Sequence, residues 1–398
     1  MSGRTQGNRR IFYVASLVLD PAKRRVESPA ARNKVLGVCA AIRAAGATPV
    51  IITAVGREAT SLWKPLRVVR RDGVCFVEVF NIGGGLARRL SALLFLPLAA
   101  LRFVGARDRV LLYNGEPEFL LLALCLRILR RPAMLDIEDA PRTDDRSPLG
   151  RLIAATAPLL RRLCDRRAVV ASRALGEQLG LRHFLPVYGV SSFFTASRLS
   201  RVAFSDAETR ILFGGSILRD TGSDLFIAAL RELATLSIAT PLHFYVTGRF
   251  QAGLFDALAA EMATVPNVRF SVVQDLNTDA YAALVRTMDV GLCLKLPSSE
   301  MGRTTFPSKV VEITALGMLL VSTRVSDVDL IFDAESAVLL ASEAPTELAA
   351  VLAEIAMDRS RFAAIALCGK RRATDRFSDA SVGSDLVRFM TNTEEGRA

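Results

Sequence analysis

Histidine is nearly missing from this 398-residue chain: only His183 and His243 occur, the latter at the start of an apolar strand pattern. Histidine acid-base chemistry is therefore all but excluded, and no serine, histidine and aspartate relay suggests itself. Paired cysteines are missing too. The six present, Cys39, Cys75, Cys125, Cys164, Cys293 and Cys368, are scattered through mostly apolar segments, with no CxxC pair and no cysteine-histidine spacing suited to zinc. They read as reduced core residues of a cytosolic protein. The most apolar segment, "LSALLFLPLAALRFV" from Leu90 to Val104, falls short of the roughly 18 residues a bilayer requires and carries Pro97, so a half-buried helix is expected. The apolar run near the start soon meets Asp20 and lacks a small-residue cleavage site, so no secretion is expected. Arginines are not interleaved with aromatics and no zinc-finger or RNA-binding signature occurs, which argues against nucleic acid as a partner. Internal repeats and low-complexity tracts are absent as well.

What the chain has is apolar mass and positive charge. At 51% hydrophobic content and this length, two domains of comparable size are expected. The net charge of +11 gathers in the first half, in "AKRRV", "RVVRRDG", "LARRL" and "LRRLCDRRA". Such a field is either a solvated basic face or a peripheral contact with an anionic membrane surface.

Short apolar runs alternate with longer amphipathic stretches almost from end to end, the pattern of βα units with parallel sheets. The fold class read from this is α/β. Strands are expected in the first half at "RIFYVAS", "TPVIITAV", "VCFVEVF", "RVLLYN", "PAMLDIED", "RAVVAS" and "FLPVYG". Periodicity fades between Gly189 and Arg210, which reads as a linker. A second series then begins with "RILFGGS" and continues through "LHFYVTG", "VRFSVV", "VGLCLKL", "LLVST" and "AVLLA". The expected divisions are a domain over 1–195, a second over 205–380 and a tail over 381–398. Two doubly wound, Rossmann-like domains facing across a cleft is the simplest architecture, with ligands beyond the carboxyl ends of the strands.

One segment, "FPSKVVEITALG", concentrates binding chemistry. Pro307 keeps Phe306 out of a helix, Ser308 is a good N-cap, and Gly317 is a natural stop. The first turn of the helix between them offers unpaired N–H groups to a phosphate, and Lys309 can add charge. Glu312 lies one turn on, where a carboxylate could accept hydrogen bonds from vicinal hydroxyls. A capped amphipathic helix with a solvated glutamate is the plain alternative.

The order "ILFGGSILRDTGSDLFIAAL", "LHFYVTGRF", "TDAYAALVRTMDVGLCLKLP" and "FPSKVVEITALGMLLVST", over Ile211 to Thr323, resembles the nucleotide-binding half of GT-B fold, retaining glycosyltransferases of the family 4 kind (glycosyl transferases group 1). The first half is similar to the acceptor domain of that fold. The resemblance implies a nucleotide-diphosphate sugar as donor substrate, no other cofactor, and no metal. By the same resemblance Glu312 would hold the ribose, as the second glutamate of a pair with seven residues between its members, and Thr304 stands where the first glutamate would be. The glycine spacing of the first phosphate loop is kept by Gly215 and Gly222, but Ser216 and Thr221 occupy its two cationic positions.

The loss of both cations should weaken stabilisation of a departing nucleoside diphosphate. Replacements are expected among Arg219, Arg249, Lys295, Arg303 and Lys309, with Gly248, Thr305 and Pro307 completing the donor side and Glu300 as a substitute for the missing glutamate. In the first half, "AMLDIEDAPR" ends a strand in acid. Alternation sends Asp136 and Glu138 to one face and Asp139 to the other or into the loop. The resemblance puts Glu138 and Asp139 where a polar pair lines the acceptor side, so these two are the catalytic candidates. "NIGGGLARR" is read as an acceptor-side loop, since it lacks a dinucleotide fingerprint. Ser28, Arg32 and Lys34 are weaker acceptor-side candidates. The "DVD" at Asp327 to Asp329 reads as a chance match to a metal motif.

The functional expectation is a cytoplasmic glycosyltransferase of the hexosyltransferase type. It would transfer with retention to a saccharide or lipid-linked acceptor in bacterial surface polysaccharide or glycolipid synthesis, with peripheral contact on the inner face of the membrane. The alternatives are a noncatalytic GT-B sugar-nucleotide-binding protein or complex subunit, and a GT-B sugar-nucleotide 2-epimerase.

Overall fold

The computed structural model describes residues 9–15, 29–53, 62–71, 73–81, 86–131, 133–139, 147–191, 203–204 and 206–392. Ser28, the glycines of "NIGGGLARR", most of the expected linker and much of the amino-terminal apolar run lie outside them. The chain divides into two compact units, Met1–Phe193 with Ser378–Ala398, and Phe194–Phe377.

The first unit is built on eight strands: β1 Arg10–Ala15, β2 Thr48–Thr53, β3 Leu66–Arg71, β4 Val74–Val79, β5 Arg109–Tyr113, β6 Ala133–Ile137, β7 Arg167–Val170 and β8 His183–Pro186. Their order is β3-β4-β2-β1-β5-β6-β7-β8, with every pairing parallel except β3 with β4. The central strands are buried on both faces, which is why they read as continuous apolar runs. β3 was not expected as a strand. It is the antiparallel edge, largely exposed, and the arginines that made it read as a charge cluster reach across to its neighbour, Arg71 lying 3.3 Å from Glu78 of β4.

Helices Leu86–Phe103, Leu120–Ile128 and Pro148–Leu163 supply one face of this sheet with its core, through Ala92, Leu96, Leu122, Leu126 and Leu160. The other face is covered by Pro29–Ala44 and by a helix from the far end of the chain, Asp379–Thr391. Residues 381–398, expected as a tail, are for the most part this returning helix. Val382, Leu386 and Met390 recur at helical spacing and are buried beside Val38 and Ile42, and a Cβ on Gly383 would stand 1.9 Å from Ala41 O.

The second unit has six parallel strands, β9 Thr209–Ser216, β10 Leu242–Arg249, β11 Val268–Val273, β12 Val290–Cys293, β13 Leu319–Thr323 and β14 Val338–Leu340, in the order β11-β10-β9-β12-β13-β14. Strand order reverses between β9 and β12, and the crevice beyond their carboxyl ends is where such sheets take ligands. The helix Ser308–Ala315 lies hard against this point, for a Cβ on Gly291 of β12 would be 2.4 Å from Ile313. The cysteines of the described residues are unpaired, and burial pushes the thiols of Cys39 and Cys164 up to about 12 and that of Cys293 to about 11, as inert core residues require. No helix among the described residues is long and apolar enough to cross a membrane.

Candidate functional site

β9 and β10 carry paired glycines one residue before their ends. Gly215 and Gly248 are partners in the ladder, both with positive φ (118° and 125°), and a Cβ on Gly248 would fall 2.0 Å from Gly215 O. Only glycine lets the two strand ends approach this closely. The loop leaving β9 turns through Gly222, at φ 88°, where a Cβ would meet Leu294 O at 2.2 Å. Within that loop the Thr221 hydroxyl accepts from Leu218 N at 2.7 Å and lies 2.8 Å from Ser216 O. Thr221, at the position where a cation was missed, thus closes the loop with its own side chain.

The helix Ser308–Ala315 begins one residue earlier than a cap at Ser308 requires. Pro307, extended at φ −73° and ψ 118°, occupies the N-cap position, and no side chain caps the helix. This corrects the expectation for Ser308: the fixed φ of proline suits the last extended residue, and the serine is drawn into the first turn. Gly215 is close by, since a Cβ there would be 3.3 Å from Lys309 Cε.

Lys309 and Glu312, expected to meet phosphate and ribose separately, meet each other. Lys309 Nζ donates to Glu312 Oε2 at 2.5 Å and to the hydroxyl of Tyr281, and its ammonium stands 4.9 Å from the Tyr281 ring centroid. Tyr281 in turn donates to Glu312 Oε1 at 2.9 Å. Burial works to lower the Lys309 pKa, but Glu312 and Tyr281 outweigh it and hold the ammonium above its usual value. Burial pushes the Tyr281 hydroxyl up to about 12. The three side chains form a closed, charge-balanced group at the mouth of the crevice, with Glu312 itself buried. Tyr281, on the helix Thr278–Val285, was missed: one tyrosine in the apolar "TDAYAALV" carries no motif, and only its polar tip hinted at a partner.

The remaining cations divide. Lys295 is buried just beyond β12, its ammonium 3.5 Å from Thr305 O, in the short stretch between Thr304 and Pro307. Arg249 is exposed at the end of β10, opposite Ser216 in register. Arg303 is exposed on the short helix Glu300–Thr304, on which Thr304 is buried. Arg219 points into solvent and pairs with Asp224 at 2.8 Å, so it does not join the Lys309 group.

A second polar group occupies the carboxyl end of the first unit's sheet. Lys34 donates to Glu138 and to Val187 O (3.1 Å), and its ammonium is 3.8 Å from Asp136 Oδ1. Asp136 is fully buried and accepts from Tyr13; its Oδ1 has no hydrogen-bond partner among the described residues. Asn114, at φ 59°, fixes the backbone by accepting from Glu138 N at 2.8 Å. Burial raises the Glu138 pKa to about 7, with the Asp136 charge reinforcing and Lys34 opposing. Asp136 and Glu138 therefore share one lysine, as alternation requires, while Asp139 is exposed. His243 makes a structural contact at the start of β10, 2.8 Å from Ser271 Oγ.

Residues 221–384 match a family model described as glycosyl transferase-like. No curated protein sequence matches the chain. Among solved structures, sucrose-phosphate synthase from Thermosynechococcus elongatus is similar over 96% of this chain and 98% of its own, at 13% identity and a TM-score of 0.64. Anabaena HepE, in complex with UDP, aligns over 96% and 98% at 15% identity with a TM-score of 0.63. A Rickettsia africae glycosyltransferase aligns over 96% and 98% at 12% identity with a TM-score of 0.65. The chain therefore has the GT-B fold of these structures, and its residues 221–384 match a glycosyl transferase-like family model.

Proposed function

We propose that the protein is a glycosyltransferase of the family 4 kind that moves a hexose, with retention, from a nucleoside-diphosphate donor to a saccharide or lipid-linked acceptor. The reading includes a place in bacterial surface polysaccharide or glycolipid synthesis, on the cytoplasmic side of an anionic membrane. One observation carries it: the Lys309, Glu312 and Tyr281 group stands at the start of an uncapped helix, next to the paired glycines near the ends of β9 and β10. A pyrophosphate fits the helix start and the glycine ends, where N–H groups and the helix dipole favour negative charge. Glu312, already oriented by two donors, keeps lone pairs for the ribose hydroxyls. Lys295, Lys309 and Arg249 are the cations that stand nearest the role of the two missing from the first loop, with Arg303 at the rim.

In the transfer, the bond from the anomeric carbon to the β-phosphate oxygen breaks and one to the acceptor oxygen forms. The electron pair leaves with the nucleoside diphosphate and the acceptor proton must be taken up. Glu138, with its raised pKa, is the group suited to accept that proton near neutral pH, and Asp139 is the exposed neighbour.

HepE has been crystallised with UDP, with UDP and glucose, and with UDP-glucose, which makes uridine nucleotides the first donors to try. Thermal shift and calorimetry with UDP and a panel of UDP-, GDP- and ADP-sugars, together with nucleotide release in the presence of membrane extract, test the reading. Glu312→Ala should lose both binding and release. Nucleotide bound without any release would favour the noncatalytic reading instead, which Thr304, Ser216 and the self-satisfied Thr221 support. The absence of any nucleotide binding would remove the site.

A further inference from the structure

The helices Leu86–Phe103, Leu120–Ile128 and Pro148–Leu163 pack side by side on one face of the first unit's sheet. Each turns an apolar stripe outward as well as inward. On the first, Leu90, Leu94, Leu98 and Leu101 are 42–62% exposed and fall within an arc of roughly 80°, on the side opposite the buried Ala92, Leu96 and Ala99. On the second, Leu121, Leu124 and Ile128 recur at helical spacing, Ile128 being 71% exposed, and on the third Leu152 and Leu159 are each 48% exposed. Single exposed leucines need no explanation, but three neighbouring helices with outward stripes make a continuous apolar surface.

Charge identifies what covers it. The three helices contain no aspartate or glutamate, and carry three arginines, one and three respectively. Each helix returns the chain from the carboxyl end of one strand to the amino end of the next, so their last turns lie along one edge of the face. There Arg102, Arg127 and Arg162 collect, all exposed, with Arg130 and Arg166 just beyond. A second copy of this chain would set arginine against arginine across helices that carry no acid. A leaflet of anionic lipid instead accepts the leucines at the acyl boundary while the arginines reach phosphate. We infer that this three-helix face is the surface by which the protein docks on an anionic membrane. The inference gives a location to the membrane contact in the reading above and does not depend on the transfer chemistry.

The test is flotation of the full chain with phosphatidylcholine vesicles and with mixed phosphatidylglycerol and phosphatidylcholine vesicles, at low and raised salt. The wild type should float with the anionic vesicles only. The Leu94→Asp, Leu98→Asp double variant should partition about tenfold or more weakly. Replacing Arg102, Arg127 and Arg162 by serine should weaken binding about fivefold for each charge and flatten its salt dependence. Circular dichroism melts verify that both variants fold, and UDP binding is measured on the same samples. Failure of the wild type to bind anionic vesicles, unchanged binding by the aspartate variant, or a dimer in sedimentation that the aspartate variant dissolves and vesicles do not compete for would overturn the inference. In the wild type, no vesicle binding with UDP binding present counts against this face alone, whereas no UDP binding with vesicle binding present bears only on the proposed function.

Discussion

Tyr281 touches both charged groups of the candidate donor site, donating to Glu312 and accepting from Lys309. Tyr281→Phe should keep the ring and the fold but remove both hydrogen bonds of the hydroxyl, including the one that orients Glu312, so UDP affinity measured by calorimetry should fall about fivefold, the worth of roughly 1 kcal/mol. Unchanged affinity would show that Lys309 alone orients Glu312. Glu138 makes a prediction in pH. Its pKa rises from the usual 4.5 to about 7, so between those values the folded protein holds a proton the unfolded chain has released. Stability contributed by this group is present below about 4.5 and falls as pH climbs towards 7. The gap in Tm between Glu138→Gln and wild type should therefore grow in favour of the variant from pH 5 to pH 7.5, and the ascending limb of the transfer rate near pH 7 should flatten in the same variant. Parallel Tm profiles would show that Lys34 holds the carboxylate ionised throughout.

At the scale of elements, the crevice depends on how closely strand ends and helices can approach. Gly248→Ala combines a positive φ with a Cβ 2.0 Å from Gly215 O, so the two strand ends would have to separate. Urea unfolding should show a loss of about 1–3 kcal/mol from the strained backbone alone, with UDP binding lost as well. The elements themselves were largely legible, because strands buried on both faces leave unbroken apolar runs and helix ends leave proline and glycine. β3 was not legible: an edge strand buries little, and its arginines outweighed its valines in the pattern. The cap of the helix Ser308–Ala315 was misplaced by one residue, since serine and proline both favour that boundary and only the backbone geometry decides between them.

At the scale of the whole molecule, the chain crosses between its two units twice, because the final helix leaves the second and rests on the first. Leu386→Ala, emptying a fully buried position beside Pro29–Ala44, should cost about 2–5 kcal/mol and lower the melting of the first unit while UDP binding in the second persists. Periodicity could show that residues 379–391 form an amphipathic helix; it could not say which unit they cover. Taken alone, the sequence determined the α/β class, the two series of βα units, the glycines of the first loop and the placing of Lys309 and Glu312 about one turn apart on one helix, since each follows from local spacing. The tertiary structure decided what no local pattern encodes: that Tyr281 closes the Lys309 and Glu312 group from another helix, that Lys34 lies between Asp136 and Glu138, that Arg219 turns away to Asp224, and that three separate apolar stripes share one face. Each of these joins residues far apart in the chain, and contact at that distance is set by packing.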